Sequence, residues 1–284
     1  MNGTKQHMRS ALIPICAMLA FASGVACAKV KLEESFSLTH AFSGQALKVD
    51  LRNGSINVRV SDDVAQIEMS GKKTVEAATD ERAEALLENL DVVLDDISGD
   101  PGEIAVHLNN PGASMRENYG VSLDITIPAG TSLDLRTSNG TLSIDGNTQP
   151  VTAQTSNGKI HVKNQRGDVH ATSSNGAVTV SSSSGAVVVQ TSNGKIEIVT
   201  TSADAPKLVG RTSNGQITLR VPCDLAANLS AKTSNGSVRV DLQSSDGGTT
   251  SRNNFEGKLN GGGIPVELKT SNGGISVTCS KGSV

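Results

Sequence analysis

The sequence predicts an all-β chain folded as a parallel β-solenoid of short strands, on three observations. The tetrapeptide TSNG starts at residues 137, 155, 191, 212, 233 and 270, with a near copy, SSNG, at 173. The copies are periodic: 18 residues apart for the first four, then 21 twice, then 37. Apolar residues also hold fixed offsets on both sides of every copy. A period near 20 with one strand-turn-strand unit describes coils that cannot bury their own apolar faces and must stack on neighbours.

The columns justify each strand. Four and two residues before the tetrapeptide stand Leu133 and Leu135, Val151 and Ala153, Val169 and Ala171, Val187 and Val189, Leu208 and Gly210, Leu229 and Ala231, Val266 and Leu268. Two and four residues after the Gly, every position from Leu142 and Ile144 to Ile275 and Val277 is Val, Leu or Ile. Alternation of period two on both sides of a turn gives two strands, each with one buried and one wet face.

The polar letters then read as corners. Stacking predicts a hydrogen-bonded amide ladder of Asn139, Asn157, Asn175, Asn193, Asn214, Asn235 and Asn272 at ~4.8 Å per rung, with a hydroxyl ladder of Thr over Thr beside it. Gly140, Gly158, Gly176, Gly194, Gly215, Gly236 and Gly273 are expected to take the positive φ that a sharp corner demands. Asn-Gly is equally a hairpin signal, and an antiparallel meander would show the same local pattern. A meander, however, gives no reason to repeat Thr-Ser as faithfully as Asn-Gly.

Three segments are expected: a signal peptide (1–28), a β-rich part (29–130) and the solenoid repeats (131–284). Lys5 and Arg9, the apolar run 11–22 and Ala26-Cys27-Ala28 have the layout of a secretory signal. Cleavage after Ala28 satisfies the small-residue rule. Acylation of Cys27 is the rival, against which Gly24 stands where such signals carry Leu. The signal layout makes the periplasm or cell surface the expected place, and no later stretch has membrane-spanning length. Within 29–130, strands are expected over 46–60, 64–75, 91–97, 103–108 and 121–127. A short helix at 79–90, capped by Thr79 or Asp80, would shield an open edge. Residues 108–120 and 243–263 read as loops, the latter an insertion that explains the 37-residue interval.

Removing Lys5 and Arg9 leaves 23 basic residues (25 − 2) against 28 acidic, a balance that gives nucleic acid no footprint. With no Trp, one Tyr and four Phe, the core must be Val, Ile, Leu and Ala in thin layers. Cys223 and Cys279 follow their corners by eight and six residues, with at least one rung between them. That puts their Cα atoms beyond the bridging limit of about 7 Å unless the C-terminal tail folds back, so the geometry argues against a disulfide.

The quoted repeats, together with LRNGSINVRV (51–60), VSLDITIPAGTSLDLRTSNGTLSI (121–144) and FEGKLNGGGIPVELKTSNGGISV (255–277), resemble the bacterial putative-adhesin family. Its members are exported β-strand-repeat proteins whose domain has no known function. The resemblance implies this architecture and a surface role.

No enzyme chemistry emerges. The outward columns place no carboxylate beside a His; Asp134 and His170 stand two rungs apart, and His161 and His170 read as solvated. Zinc, nucleophile-elbow and phosphate-loop motifs are lacking, and calcium-binding repeats need Asp where this chain has Asn or Ser, so no cofactor or metal is expected. The residue before each tetrapeptide is more suggestive: Arg136, Gln154, Thr172, Gln190, Arg211, Lys232 and Lys269 form a basic, amide-rich stripe. It fits contact with an anionic envelope glycan, or simply long side chains facing water. The leading expectation is a non-enzymatic exported solenoid presenting a surface for adhesion. A periplasmic accessory module binding an envelope protein through its loops comes second, and a polysaccharide enzyme third.

Overall fold

The computed structural model describes residues 29–284 except 42–45, 98–102, 110–111, 147–148, 183, 204, 243–248 and 281–284. The expected signal peptide and Cys27 lie outside the described residues.

The chain begins with β1 (Val30–Ala41), β2 (Ala46–Asn53), β3 (Ile56–Val60) and β4 (Gln66–Ala77), then α1 (Asp80–Asn89), β5 (Val92–Ile97), β6 (Glu103–Leu108) and β7 (Asn118–Ile127). Strand-corner-strand units follow: β8 (Leu133–Asn139) and β9 (Leu142–Asp145), β10 (Val151–Thr155) and β11 (Ile160–Gln165), β12 (Val169–Ser173) and β13 (Val178–Ser182). Next come β14 (Val187–Asn193) and β15 (Ile196–Thr200), β16 (Leu208–Asn214) and β17 (Ile217–Pro222), β18 (Ala227–Asn235) and β19 (Val238–Val240). A hairpin of β20 (Thr249–Ser251) and β21 (Asn254–Leu259) precedes the last unit, β22 (Ile264–Asn272) and β23 (Ile275–Ser280).

The two strands of each unit enter different sheets. One sheet runs β1-β4-β7-β3-β9-β11-β13-β15-β17-β23-β19, the other β20-β21-β18-β22-β16-β14-β12-β10-β8-β2-β6-β5. Neighbouring rungs are parallel and in register, as in Val151↔Val169 and Ile160↔Val178. The chain is therefore a β-solenoid and not a meander. The apolar columns face each other between the sheets and form one largely aliphatic core from Phe36 to Val277. The early LRNG repeat is itself a rung: β2 and β3 stack on β8 and β9 with Asn53 opposite Asn139.

The rungs do not stack in chain order. β22 lies between β16 and β18, and β23 between β17 and β19, so the last repeat is intercalated between its two predecessors. This overturns the argument against a disulfide. Because β23 is the direct neighbour of β17, with Val221 opposite Cys279, the Cys223 and Cys279 Cα atoms stand 4.8 Å apart and the residues are bridged. The expected geometry assumed that sequence order was stacking order.

The corners correct two further expectations. Of the seven TSNG-type glycines only Gly273 has positive φ. The others are required by close approach: a Cβ at Gly158 would lie well under 3.0 Å from the Gly140 carbonyl oxygen, and Gly176, Gly194, Gly215, Gly273 and Gly236 meet the preceding rung's glycine in the same way. In a solenoid the corner joins two sheets in an open arc, so the crowding comes from the rung spacing and not from a sharp reversal. Nor do the Thr hydroxyls bond one another. Thr155, Thr191 and Thr212 are buried and donate to the carbonyls of Gly140, Gly176 and Gly194, one rung back, at 3.1–3.2 Å. Each such buried bond is worth about 1 kcal/mol net.

The Asn ladder is formed. Asn139 donates to Asn53, Asn157 to Asn139, Asn175 to Asn157, Asn193 to Asn175, Asn214 to Asn193, Asn272 to Asn214 and Asn235 to Asn272, each from Nδ2 to Oδ1 at 2.7–3.0 Å. Asn53 closes the series on the Tyr119 carbonyl at 2.9 Å. All eight amides point the same way, so the ladder is polarised and none can flip alone.

Both ends depart from parallel pairing. At the N-terminal end β4 pairs antiparallel with β7 and β1 with β4; β1 is a strand the sequence reading did not anticipate. Helix α1, with Thr79 accepting from the Arg82 N–H at 3.3 Å, buries Ala83 and Leu86 and packs on β4 and β1. At the other end the segment expected to be a plain loop, 243–263, contains β20 and β21. β21 pairs antiparallel with β18 and buries Phe255, covering an edge that would otherwise template aggregation.

Candidate binding surface

Strand alternation places the residue before each corner on the outer face of the second sheet. Registration there brings the expected stripe together as Arg136, Gln154, Thr172, Gln190, Arg211, Lys269 and Lys232, with Asp50 before Arg136. Intercalation exchanges the last two positions relative to chain order.

Its electrostatics differ from a bare row of cations. Arg136 pairs with Asp134 at 3.0 Å, Arg211 makes a two-pronged contact with Glu267 at 2.7 and 3.1 Å, and Lys232 pairs with Glu256. The hydrogen-bonded Arg211 guanidinium holds the Glu267 carboxyl below its ordinary range, against a smaller opposing effect of burial. Among the described residues, the side chains of Gln154, Gln190 and Lys269 make no hydrogen bond or ion pair, so their amides and ammonium remain available. Sequence reasoning found the stripe but missed its carboxylates. Glu267 sits in the column two residues earlier, and Glu256 arrives on β21, which the sequence reading had not placed in the sheet.

The histidines lie apart. His170 is opposite Thr152, which is opposite Asp134, so two rungs separate that acid and imidazole. His161 is on the other sheet, between Ser143 and Thr179; burial first, then Lys159 and Lys163, lowers its pKa and favours the neutral ring. No group of three or more His, Cys, Asp or Glu placed to hold a metal ion occurs among the described residues.

A second surface had no signal in the sequence, because strands distant in the chain build it. A trough of about 780 Å³ crosses the outer face of the first sheet over β1, β4, β7, β3 and β9, lined by Asn57, Arg59, Glu68, Asp124, Ser143 and Asp145 among others. Asn57 donates to Asp124 at 2.8 Å. This lining of hydroxyls, amides and carboxylates can hydrogen-bond a polar ligand. A third feature is the segment between β6 and β7. Arg82 on α1 binds Glu117 at 2.7 and 3.0 Å and the Gly112 carbonyl at 2.8 Å, and the segment carries Met115 fully exposed. No described helix is long and apolar enough to cross a membrane.

Comparison with known proteins finds a family resemblance over part of the chain. The profile of the Toastrack DUF4097 family matches residues 173–278. No curated protein matches the sequence. Among solved structures, a putative cell adhesion protein from Clostridium sporogenes aligns at 12% identity and TM-score 0.33, covering 88% of this chain and 100% of its own. A putative adhesin from Bacteroides fragilis aligns at 12% identity and TM-score 0.36 over 87% and 97% of the two chains. A putative adhesin from Parabacteroides distasonis gives 10% identity and TM-score 0.36 over 86% and 97%. The family match spans the units from the end of β12 to β23, and over residues 173–278 this chain is similar to the Toastrack DUF4097 family.

Proposed function

We propose that this chain is a non-enzymatic, exported β-solenoid, its N-terminal 28 residues serving as signal or, through Cys27, as lipid anchor. It presents the outer face of its second sheet to an anionic polymer of the cell envelope. The observation that carries this reading is the in-register array of Gln154, Gln190, Arg211 and Lys269 on a rigid ladder. An extended polymer meets the same chemistry rung after rung at ~4.8 Å, so weak contacts add along its length. The test replaces Arg211, Lys232 and Lys269 by Gln and measures retention of the protein on immobilised polygalacturonate over a salt series. The proposal expects wild-type retention that falls with salt and at least a ~tenfold loss in the variant. Equal retention of both proteins would remove it.

One observation favours a second reading, an accessory module that binds an envelope protein through a loop. The Arg82–Glu117 pair ties the segment that exposes Met115 to α1, so an apolar side chain is held out to solvent on an anchored support. Salt-insensitive capture of a single envelope protein, abolished by Met115→Asp, would support this reading over the polymer.

A further inference from the structure

The intercalated last repeat occupies a slot that the preceding repeats leave for it. In chain order, β18 would pair with β16, and β22 would lie outermost. The corners alone do not forbid that order, because the three rungs concerned, at 212, 233 and 270, offer the same Thr, Asn and Gly.

Three features specific to the slot select the observed order. Gly210 leaves room that Leu268 fills: a Cβ on Gly210 would stand 3.2 Å from Leu268 Cδ2, and Leu268 is buried. In chain order Gly210 would face Ala231 across the rung and the core would be underfilled. Arg211 binds Glu267, whereas in chain order it would oppose Lys232. The Cys223–Cys279 bridge needs β23 beside β17; one rung further out, ~9.6 Å from β17, Cys279 would exceed the bridging limit of about 7 Å.

The connection into this rung is a hinge beside the bridge. It consists of Asn260, Gly261, Gly262 and Gly263, the first three with φ of 47°, 88° and 83°. Asn260 Nδ2 donates to the carbonyls of Cys223 and Leu225 at 3.0 and 2.9 Å, so hinge and bridge share one turn. All contacts that fit β22–β23 to the slot lie within the rung and the slot walls. The same rung from a second copy therefore satisfies every one of them.

We propose that β22–β23 is an exchangeable rung. The Cys223–Cys279 bridge keeps it in its own chain, and after the bridge is reduced the slot accepts the rung of a second copy, giving a strand-exchanged dimer. A dithiol reductant opens the latch by passing two electrons and two protons to the cystine, which becomes two thiols while the dithiol closes to its own disulfide.

The test uses two full-length variants, Cys223→Ala and Cys279→Ala, mixed at high concentration under reducing conditions and then treated with oxidised glutathione. In an exchanged dimer the remaining Cys223 of one chain meets the remaining Cys279 of the other. Two thiols give up two electrons and two protons, and one oxidised glutathione leaves as two reduced molecules. The expected product is a covalent heterodimer whose mapped linkage is Cys223–Cys279. Absence of that linkage, or its presence only at the level of Cys223–Cys223 and Cys279–Cys279 self-linkages, overturns the proposal. A second measurement needs no substitution: reducing the wild-type chain should speed amide exchange at least ~tenfold in β22–β23 before it does so in β10–β15. Unchanged protection of β22–β23 after reduction would likewise overturn it.

Discussion

Replacing Gly176 by Ala separates the two reasons a corner can need glycine. A Cβ there would lie well under 3.0 Å from the Gly158 carbonyl oxygen and 3.0 Å from the Ser173 hydroxyl, and both belong to packed main chain or a buried side chain. Relieving the overlap means moving one rung by ~1 Å against its neighbour. That stretches the backbone bonds across the corner, such as Asn193 N–H to the Ser174 carbonyl at 2.8 Å. Overpacking of this kind costs roughly 3 kcal/mol. In a chain of this size that lowers the thermal midpoint by roughly 6–12 °C. Gly130 is the contrast: its φ is 90° and nothing lies within 4 Å of its absent Cβ. Gly130→Ala should cost only about 1 kcal/mol, for the backbone conformation. Asn, which tolerates positive φ, should partly restore stability at 130 and make matters worse at 176. Urea and thermal unfolding of the four variants measure this. If Gly176→Asn were milder than Gly176→Ala, the close-approach argument would be refuted.

Three other outcomes are expected. Asn175→Asp keeps the bond accepted from Asn193 but sets a carboxylate oxygen against Asn157 Oδ1, which the polarised ladder prevents from turning away. The cost should be about 1–2 kcal/mol at neutral pH. Because the protonated acid can donate, the folded carboxyl is raised, so the variant's stability is present at low pH and lost as pH rises through that value; a pH-independent cost would contradict the ladder. The Arg82 hydrogen bond, helped by the Ser114 N–H, pushes the Glu117 carboxyl from its ordinary 4.5 to about 2. Its contribution is thus complete above the unfolded value and disappears as pH falls through about 2. Carboxyl NMR should show that midpoint, returning toward the ordinary range in Arg82→Gln; an ordinary midpoint in the wild type would remove the clamp. Arg211→Gln should change stability by no more than ~1 kcal/mol, because both partners of its pair are about half exposed and solvent screens them. A larger loss in urea unfolding would mean that solvent does not screen the pair as its exposure implies.

What the sequence made legible was whatever repeats. The apolar columns, the Asn ladder, the two-sheet coil and the line of Arg136, Gln154, Gln190, Arg211 and Lys269 follow from period and offset, because a stacked fold turns equal sequence positions into equal spatial ones. What it hid was whatever breaks the repeat. β1 alternates over Val30–Ala41, with Leu32, Phe36 and Leu38 on one side, yet Glu34 and His40 fall on that same face and blur the signal. The position of β22–β23 cannot be read from TSNG, since identical corners accept any order; the informative letters are Gly210, the one Gly in its column, and Leu268, which fills it. The disulfide, the Glu267 and Glu256 partners of the stripe and the covering of β18 by β21 all depend on that order or on the hairpin. The role of the corner glycines was hidden for another reason. Positive φ and close approach leave the same letter in a sequence, and only the rung-to-rung contact distinguishes them.

The rung order is the central structural claim, and spin-label distances test it directly. Nitroxides on Ser138→Cys and Ser234→Cys span six rungs in the observed order, and those on Ser138→Cys and Ser271→Cys span five, with the bridged native cysteines unreactive. Pulsed electron resonance should give about 29 Å for the first pair and about 24 Å for the second. The reverse ranking, with Ser271 the more distant, would mean that the repeats stack in chain order and would contradict the fold described here.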